Sequence, residues 1–304
     1  SLYGGSCCHL QPSPCFLMFF SHKLYLMFYP SSFQLRHGSV HLVTSVAAGI
    51  FLCLASHLNV TLAAEREVFQ VDDSNAFVIM PPEATRIKGP TPWVWYAPTL
   101  GKRLPSRDEQ WMIDRLHSAG IALAGIDVGE SYGSPKGVSV YQAFYKEMTG
   151  KRGFRLQPVL LARSRGGLML YSWAVSHANS VGGVAGIYPV CNIASYPGIS
   201  RAAPAFGMTT EELKGSLEKY NPVDKLESLA KAGVPVFHIQ GDSDKVVPHE
   251  DNSGLLATRY QALGGSVEIE LIPGQGHNMW RGWFESESLT EFMIKQSLKK
   301  EIPE

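Results

Sequence analysis

Between residues 65 and 298, short apolar runs alternate with segments whose apolar positions recur every three or four residues, the rhythm of strands leading into amphipathic helices. Residues 68–71 and 76–80 predict an opening hairpin. The runs at 93–97, 121–126, 159–162, 184–188, 234–239 and 267–272 predict six more strands. Several of them are apolar at successive positions, as strands of a parallel sheet covered on both faces must be. Helices are predicted over 110–119, where Gly120 supplies a stop, over 138–148, from Leu168 through Val175, over 226–232 and over 288–298. Such alternation is what successive βαβ units produce, so the expected class is α/β, with a mostly parallel central sheet flanked by helices. Residues 189–222 interrupt the rhythm with prolines, glycines and one isolated helix over 210–220, whose Glu211 and Glu212 suit a first turn. This stretch reads as a small insertion.

Composition narrows the picture. In 304 residues, 27 basic and 27 acidic side chains cancel, which argues against a nucleic-acid partner, since such proteins carry a basic face. The length suffices for one large α/β domain. No run of about 18 apolar residues is present, so a spanning helix is not expected. Cys7, Cys8, Cys15 and Cys53 all precede residue 65, and Cys191 stands alone afterwards. The folded domain therefore has no disulfide of its own and no paired-cysteine zinc spacing. Cys7-Cys8-His9 lacks a second ligand pair, and no metal or other cofactor is expected.

The first 64 residues read differently from the rest. Residues 1–36 mix Cys, Pro and Ser with aromatic runs broken by His22 and Lys23, as in sequence upstream of a true start. From Arg36 there follow a basic flank, an apolar core at 46–54 and small residues at 61–64, the three zones of a secretory signal peptide. Residues 1–64 are thus expected to be leader, cut after Ala63 or Ala64, and residues 65–304 to be the exported catalytic domain, secreted or periplasmic, with no stable membrane insertion after cleavage. N-terminal sequencing of the native protein that found residues before Glu65 would overturn this.

Candidate chemistry centres on Ala162-Arg163-Ser164-Arg165-Gly166, between the strand at 159–162 and the helix from Leu168. A strand that reverses into a helix over so few residues strains the central one and pushes its side chain out above the sheet edge. The stretch resembles the Gly-x-Ser-x-Gly nucleophile elbow of the α/β-hydrolase family, with Ala162 in place of the first glycine. Two later stretches extend the resemblance in the family's chain order of Ser, acid, His. Gly241-Asp-Ser-Asp244 is similar to the acid loop, which implies Asp244 as the orienting carboxylate, with Asp242 as its competitor and more naturally a loop-shaping residue. Gly274-Gln-Gly-His277 is similar to the histidine loop and implies His277 as the base, while His238 reads as a core residue, His249 as a surface one, and His117 and His177 as helix residues.

The resemblance covers residues 68–298 and implies the α/β-hydrolase fold, with 189–222 as a lid or a surface excursion. It implies a serine hydrolase that cleaves carboxylic esters through an acyl-enzyme. The oxyanion would be held by the backbone N–H of Arg165 and by one after the strand at 93–97, where Pro98 has none to give and Thr99, then Leu100, come next. Arg163 and Arg165 bracket the serine, and either suits an anionic acyl group. Arg163 could instead turn away to pair with a structural acid. An arginine after the serine is similar to the glucuronoyl-esterase branch of the fold. Trp280 offers an apolar or sugar-stacking wall, or with Trp283 pins the histidine loop. The expected substrate is a small-molecule or carbohydrate-linked ester, uronate esters included. A prolyl-oligopeptidase-type peptidase and a non-catalytic binder on the same fold are the alternatives.

Overall fold

The computed structural model describes residues 66–100 and 104–299. The leader expected over 1–64 lies outside the described residues. Each apolar run is a strand: β1 (Arg66–Val71), β2 (Ser74–Ile79), β3 (Trp93–Ala97), β4 (Ala122–Ile126), β5 (Val159–Arg163), β6 (Gly183–Ile187), β7 (Val236–Gly241) and β8 (Val267–Ile272). They form one sheet in the order β1-β2-β4-β3-β5-β6-β7-β8. Strand β2 is antiparallel to β1 and β4, and all other neighbours are parallel. The winding direction reverses between β3 and β5, and connections leaving the carboxyl ends of those two strands diverge. A crevice opens at such a point, and it is where ligands bind in sheets of this kind.

The principal helices are α1 (Gln110–Ser118), α2 (Pro135–Lys146), α3 (Gly166–Ala174), α4 (Thr210–Gly215), α5 (Glu227–Lys231), α6 (Ser253–Ala262) and α7 (Glu287–Ser297). Residues along β3 alternate between two cores. Trp93, Trp95 and Ala97 join the core under α2, α3 and α6, while Val94 and Tyr96 join the one under α1 and α7. Both faces are covered, which is why β3 reads as an unbroken apolar run. Trp95 packs edge-on against Tyr141 and Phe144 at 5.1 Å, and burying one indole contributes on the order of 5 kcal/mol of transfer free energy.

Several boundaries differ from those predicted. Helix α2 starts at Pro135, three residues early, because the Ser134 hydroxyl accepts the Gly137 N–H and proline suits the first turn. The helix expected over 210–220 breaks at Gly215-Ser216 into α4 and a short turn, Leu217–Tyr220, glycine being a poor helix interior. Helix α6 was not predicted at all. It buries Leu256 and Tyr260, one turn apart, against the sheet.

Residues 189–222 are packed onto the domain. Val190, Ile193, Ala202, Ala203 and Leu213 share an apolar cluster with Leu168 of α3 and Val247. Asn252 accepts the N–H groups of Cys191 and Asn192, and Asn221 accepts that of Ile193. The irregular backbone thereby keeps its hydrogen bonds under cover.

His238, inside β7, is fully buried, and desolvation holds its ring at about 3, well below the ordinary imidazole value. The unfolded chain takes up a proton here as pH falls below about 6.5, and the folded one does not until about 3. Stability from this residue is therefore complete above pH 6.5 and lost towards pH 3, at up to about 1.4 kcal/mol per pH unit. Urea unfolding at pH 7 and pH 4.5 is expected to show a shallower loss for His238→Gln than for wild type.

Candidate active site

Strand β5 ends at Arg163, α3 begins at Gly166, and Ser164 sits between them at φ +49°. A non-glycine residue in that region is strained and persists only when its surroundings fix it. Here the Ser164 N–H donates to the Ile187 carbonyl at 3.0 Å, and the Ser164 carbonyl accepts from Val190 at 2.8 Å and Gly167 at 2.9 Å. Ala162 replaces the expected glycine without cost in space, since its partners across the sheet are the small Ala97 and Gly186.

Gly166 has no such latitude. A Cβ there would lie 2.1 Å from the Ala97 carbonyl oxygen and 2.6 Å from the Pro98 nitrogen. The start of α3 thus touches the turn after β3, bringing Arg165 beside the segment that carries Thr99. Gly166→Ala is expected to push that turn away and cost about 10²–10³ in kcat, the loss typical of one oxyanion donor, with little change in KM. Steady-state kinetics on an ester check it.

The other two loops close on the serine. Ser164 Oγ lies 2.8 Å from His277 Nε2, and His277 Nδ1 lies 2.8 Å from Asp244 Oδ2. Asp244 Oδ1 accepts the N–H groups of Val246 and Val247 at 2.9 and 2.8 Å, and Gln240 donates to Oδ2 at 3.3 Å. Four donors converge on one buried carboxylate. A Cβ at Gly241 would lie 2.1 Å from the Gln275 carbonyl oxygen, so only glycine lets the acid and histidine loops approach this closely. Asp242 is exposed and accepts from Gly274 N–H and the Ser243 hydroxyl, a loop-shaping part that leaves the histidine to Asp244.

Tyr188, at the carboxyl end of β6, escaped sequence reasoning. It is buried at φ +37°, its ring centroid 4.3 Å from that of His277 and edge-on to Trp283 at 5.4 Å. A polar-tipped aromatic where a parallel strand ends was the available signal. Trp283 is buried and donates from its indole to Asn278 Oδ1 at 3.0 Å, pinning the histidine loop. Trp280 stacks edge-on against it, 40% exposed beside the still more open Met279. An apolar rim of two side chains thus follows His277.

Both arginines beside the serine are paired with acids. Arg163 is buried and forms an ion pair with Glu109, which also accepts the Tyr96 hydroxyl at 2.7 Å. Its Nη2 reaches Met279 Sδ at 3.0 Å and its guanidinium lies over the Phe284 ring. Burial works to lower its pKa, yet Tyr96, Tyr188 and Glu109 together hold it above the ordinary guanidinium value. The substrate-contacting role expected of Arg163 is corrected accordingly: its charge is spent inside the fold, where desolvating it demands a partner. Arg165 is paired with Glu130, both side chains part-exposed. Its N–H heads α3, where the helix dipole favours negative charge. Thr99 is buried, at the turn abutting it.

Among the described residues, no three His, Cys, Asp or Glu side chains are grouped to hold a metal, and no helix is long and apolar enough to cross a membrane.

No family model and no curated protein sequence matches the chain. Solved structures do. Est1E from Butyrivibrio proteoclasticus is 20% identical, with a TM-score of 0.58 over 77% of this chain and 99% of its own. A puromycin-hydrolyzing peptidase of Mycobacterium tuberculosis is 15% identical with a TM-score of 0.61, over 79% of this chain and 41% of its own. The acylaminoacyl peptidase of Pyrococcus horikoshii is 14% identical with a TM-score of 0.59, over 81% and 46%. The chain spans under half the length of these two peptidases. At such identities the likeness is one of fold.

Proposed function

We propose that this chain, which has the α/β-hydrolase fold, is a serine hydrolase of carboxylic esters working through an acyl-enzyme. The observation that carries the proposal is the unbroken series Ser164 Oγ, His277 and Asp244, linked at 2.8 Å at each step, with the serine on a strained elbow. Ser164 Oγ attacks the ester carbonyl carbon and passes its proton to His277 Nε2. The imidazolium that results is stabilised by Asp244, and the tetrahedral oxyanion by the N–H groups of Arg165 and Thr99. His277 then gives the proton to the departing alkoxide, leaving the acyl group on Ser164. Water attacks that ester in turn, His277 taking its proton and returning it to the serine.

The acyl group is neutral in this reading. Arg163 is committed to Glu109 and Arg165 to Glu130, so neither arginine next to the serine stands ready for a carboxylate, and the uronate esters expected from the sequence lose their main support. Met279 and Trp280 offer apolar contact instead. A second reading, cleavage of acyl-amide bonds, draws on the two peptidases that share the fold. A panel of p-nitrophenyl acyl esters, a p-nitrophenyl ester with a carboxylate on its acyl chain, and aminoacyl p-nitroanilides separates these. Faster turnover of neutral esters supports the proposal. Turnover of anilides alone would replace it with a peptidase, and preference for the anionic ester would restore the arginine reading. No turnover of any would favour a binder.

A further inference from the structure

Asp244 is also the end of a buried polar chain that runs across the sheet. Tyr171 Oη lies 2.7 Å from His238 Nε2, and His238 Nδ1 lies 3.0 Å from Ser253 Oγ. Ser253 Oγ is 3.0 Å from Gln240 Oε1, and Gln240 Nε2 is 3.3 Å from Asp244 Oδ2. All five side chains from Tyr171 to Asp244 are buried, and they come from α3, β7, α6 and the acid loop.

Hydrogen-bond chemistry fixes the direction of each link. One end of the Gln240 amide faces two acceptors, Asp244 Oδ2 and the Val247 carbonyl at 3.1 Å, so that end is the NH₂. Its oxygen can only accept, which commits the single Ser253 proton to it. Ser253 then has only lone pairs for His238, so Nδ1 carries the ring proton. Burial keeps His238 neutral, which leaves Nε2 as the acceptor of the Tyr171 hydroxyl. Every proton in the chain points towards Asp244.

We propose that Gln240, locked by Ser253, His238 and Tyr171, is a positioning residue that holds the Asp244 carboxylate with Oδ2 towards His277. This rests on the triad assigned above. Without Ser253 the amide oxygen loses its donor, and only Asp244 Oδ2 and the Val247 carbonyl still hold the amide in place, so its NH₂ is less firmly aimed at Oδ2. Without the Gln240 donor, the carboxylate has one hydrogen bond fewer, becomes more basic and stabilises the imidazolium of His277 further. The groups facing His277 are Ser164, Asp244 and Tyr188, with Arg163 and Glu109 behind the tyrosine. Those facing His238 are Tyr171, Ser253 and, through space, His249, with Cys191 near Tyr171.

The test is the rate at which a fluorophosphonate probe modifies the full chain between pH 5 and 9, with kcat and KM for p-nitrophenyl acetate measured alongside. Gln240→Leu and Ser253→Ala are expected to slow modification about tenfold, to raise its pH midpoint by about half a unit, and to lower kcat while KM stays put. A packing defect alone would not move the midpoint. Ser253→Ala removes one atom and decides the matter should Gln240→Leu not fold. Both variants modified at the wild-type rate and midpoint would overturn the proposal. Failure of the probe to modify wild type would instead overturn the triad.

Discussion

Ser164→Ala is expected to lower kcat towards p-nitrophenyl acetate by about a millionfold and to abolish fluorophosphonate modification, leaving KM within about threefold. Among the described residues its hydroxyl is the group placed to attack, 2.8 Å from His277 Nε2, and the proposed acyl-enzyme cannot form without it. Because the three side chains act as one unit, His277→Ala is expected to cost nearly as much, and the double variant little more than either alone. Asp244→Asn belongs to a different class. It keeps the size of the side chain but places an NH₂ or a neutral oxygen opposite His277 Nδ1, disturbs the tautomer and removes the charge that stabilises the imidazolium, for a loss of about 10⁴. Burst kinetics with the ester and intact-mass detection of the probe adduct read each step separately. More than about one hundredth of wild-type turnover surviving in Ser164→Ala would mean another nucleophile.

The parts of this site that were legible in the sequence are those written within a few consecutive residues. A strand, a two-residue turn and a helix around Ser164 are local, and so are the glycines that let the Asp244 and His277 loops meet. The elements between them were legible for the same reason, since a strand buried on both faces, such as Trp93–Ala97, announces itself as an apolar run. What stayed hidden is pairing at long range. The partner of Arg163 is Glu109, 54 residues upstream, and nothing near either residue marks the other. Tyr171 and His238 stand 67 positions apart and meet only because α3 and β7 pack together. Tyr188 read as one more apolar strand residue until the sheet order put it beside His277. Helix α6 carried a readable signal, Leu256 and Tyr260 one turn apart with Gly264 to stop it, but Leu255 and Leu263 blur its apolar stripe.

Of these pairings, the one between Glu109 and Arg163 has the largest consequence for stability. Glu109 is almost fully buried and uses both oxygens: Oε1 takes the Tyr96 hydroxyl and Arg163, while Oε2 takes the Ser106 N–H and hydroxyl that open the turn into α1. Glu109→Leu would leave the Arg163 guanidinium buried with its charge unmatched, the Tyr96 hydroxyl without an acceptor and the Ser106 cap undone. Removing one partner of such a pair costs about 3–5 kcal/mol, and in a domain of this size that lowers Tm by roughly 10 °C. Calorimetry measures it. Arg163→Met in the same chain is expected to recover much of the loss, because an apolar pair of similar volume no longer asks for desolvation of a charge. Activity should fall further than stability alone requires, since Arg163 reaches Met279, two residues beyond His277, and a guanidinium seeking water would drag on that loop. An unchanged Tm in Glu109→Leu would show that Arg163 finds solvent without Glu109, and the inward-facing role assigned to this arginine would fail with it.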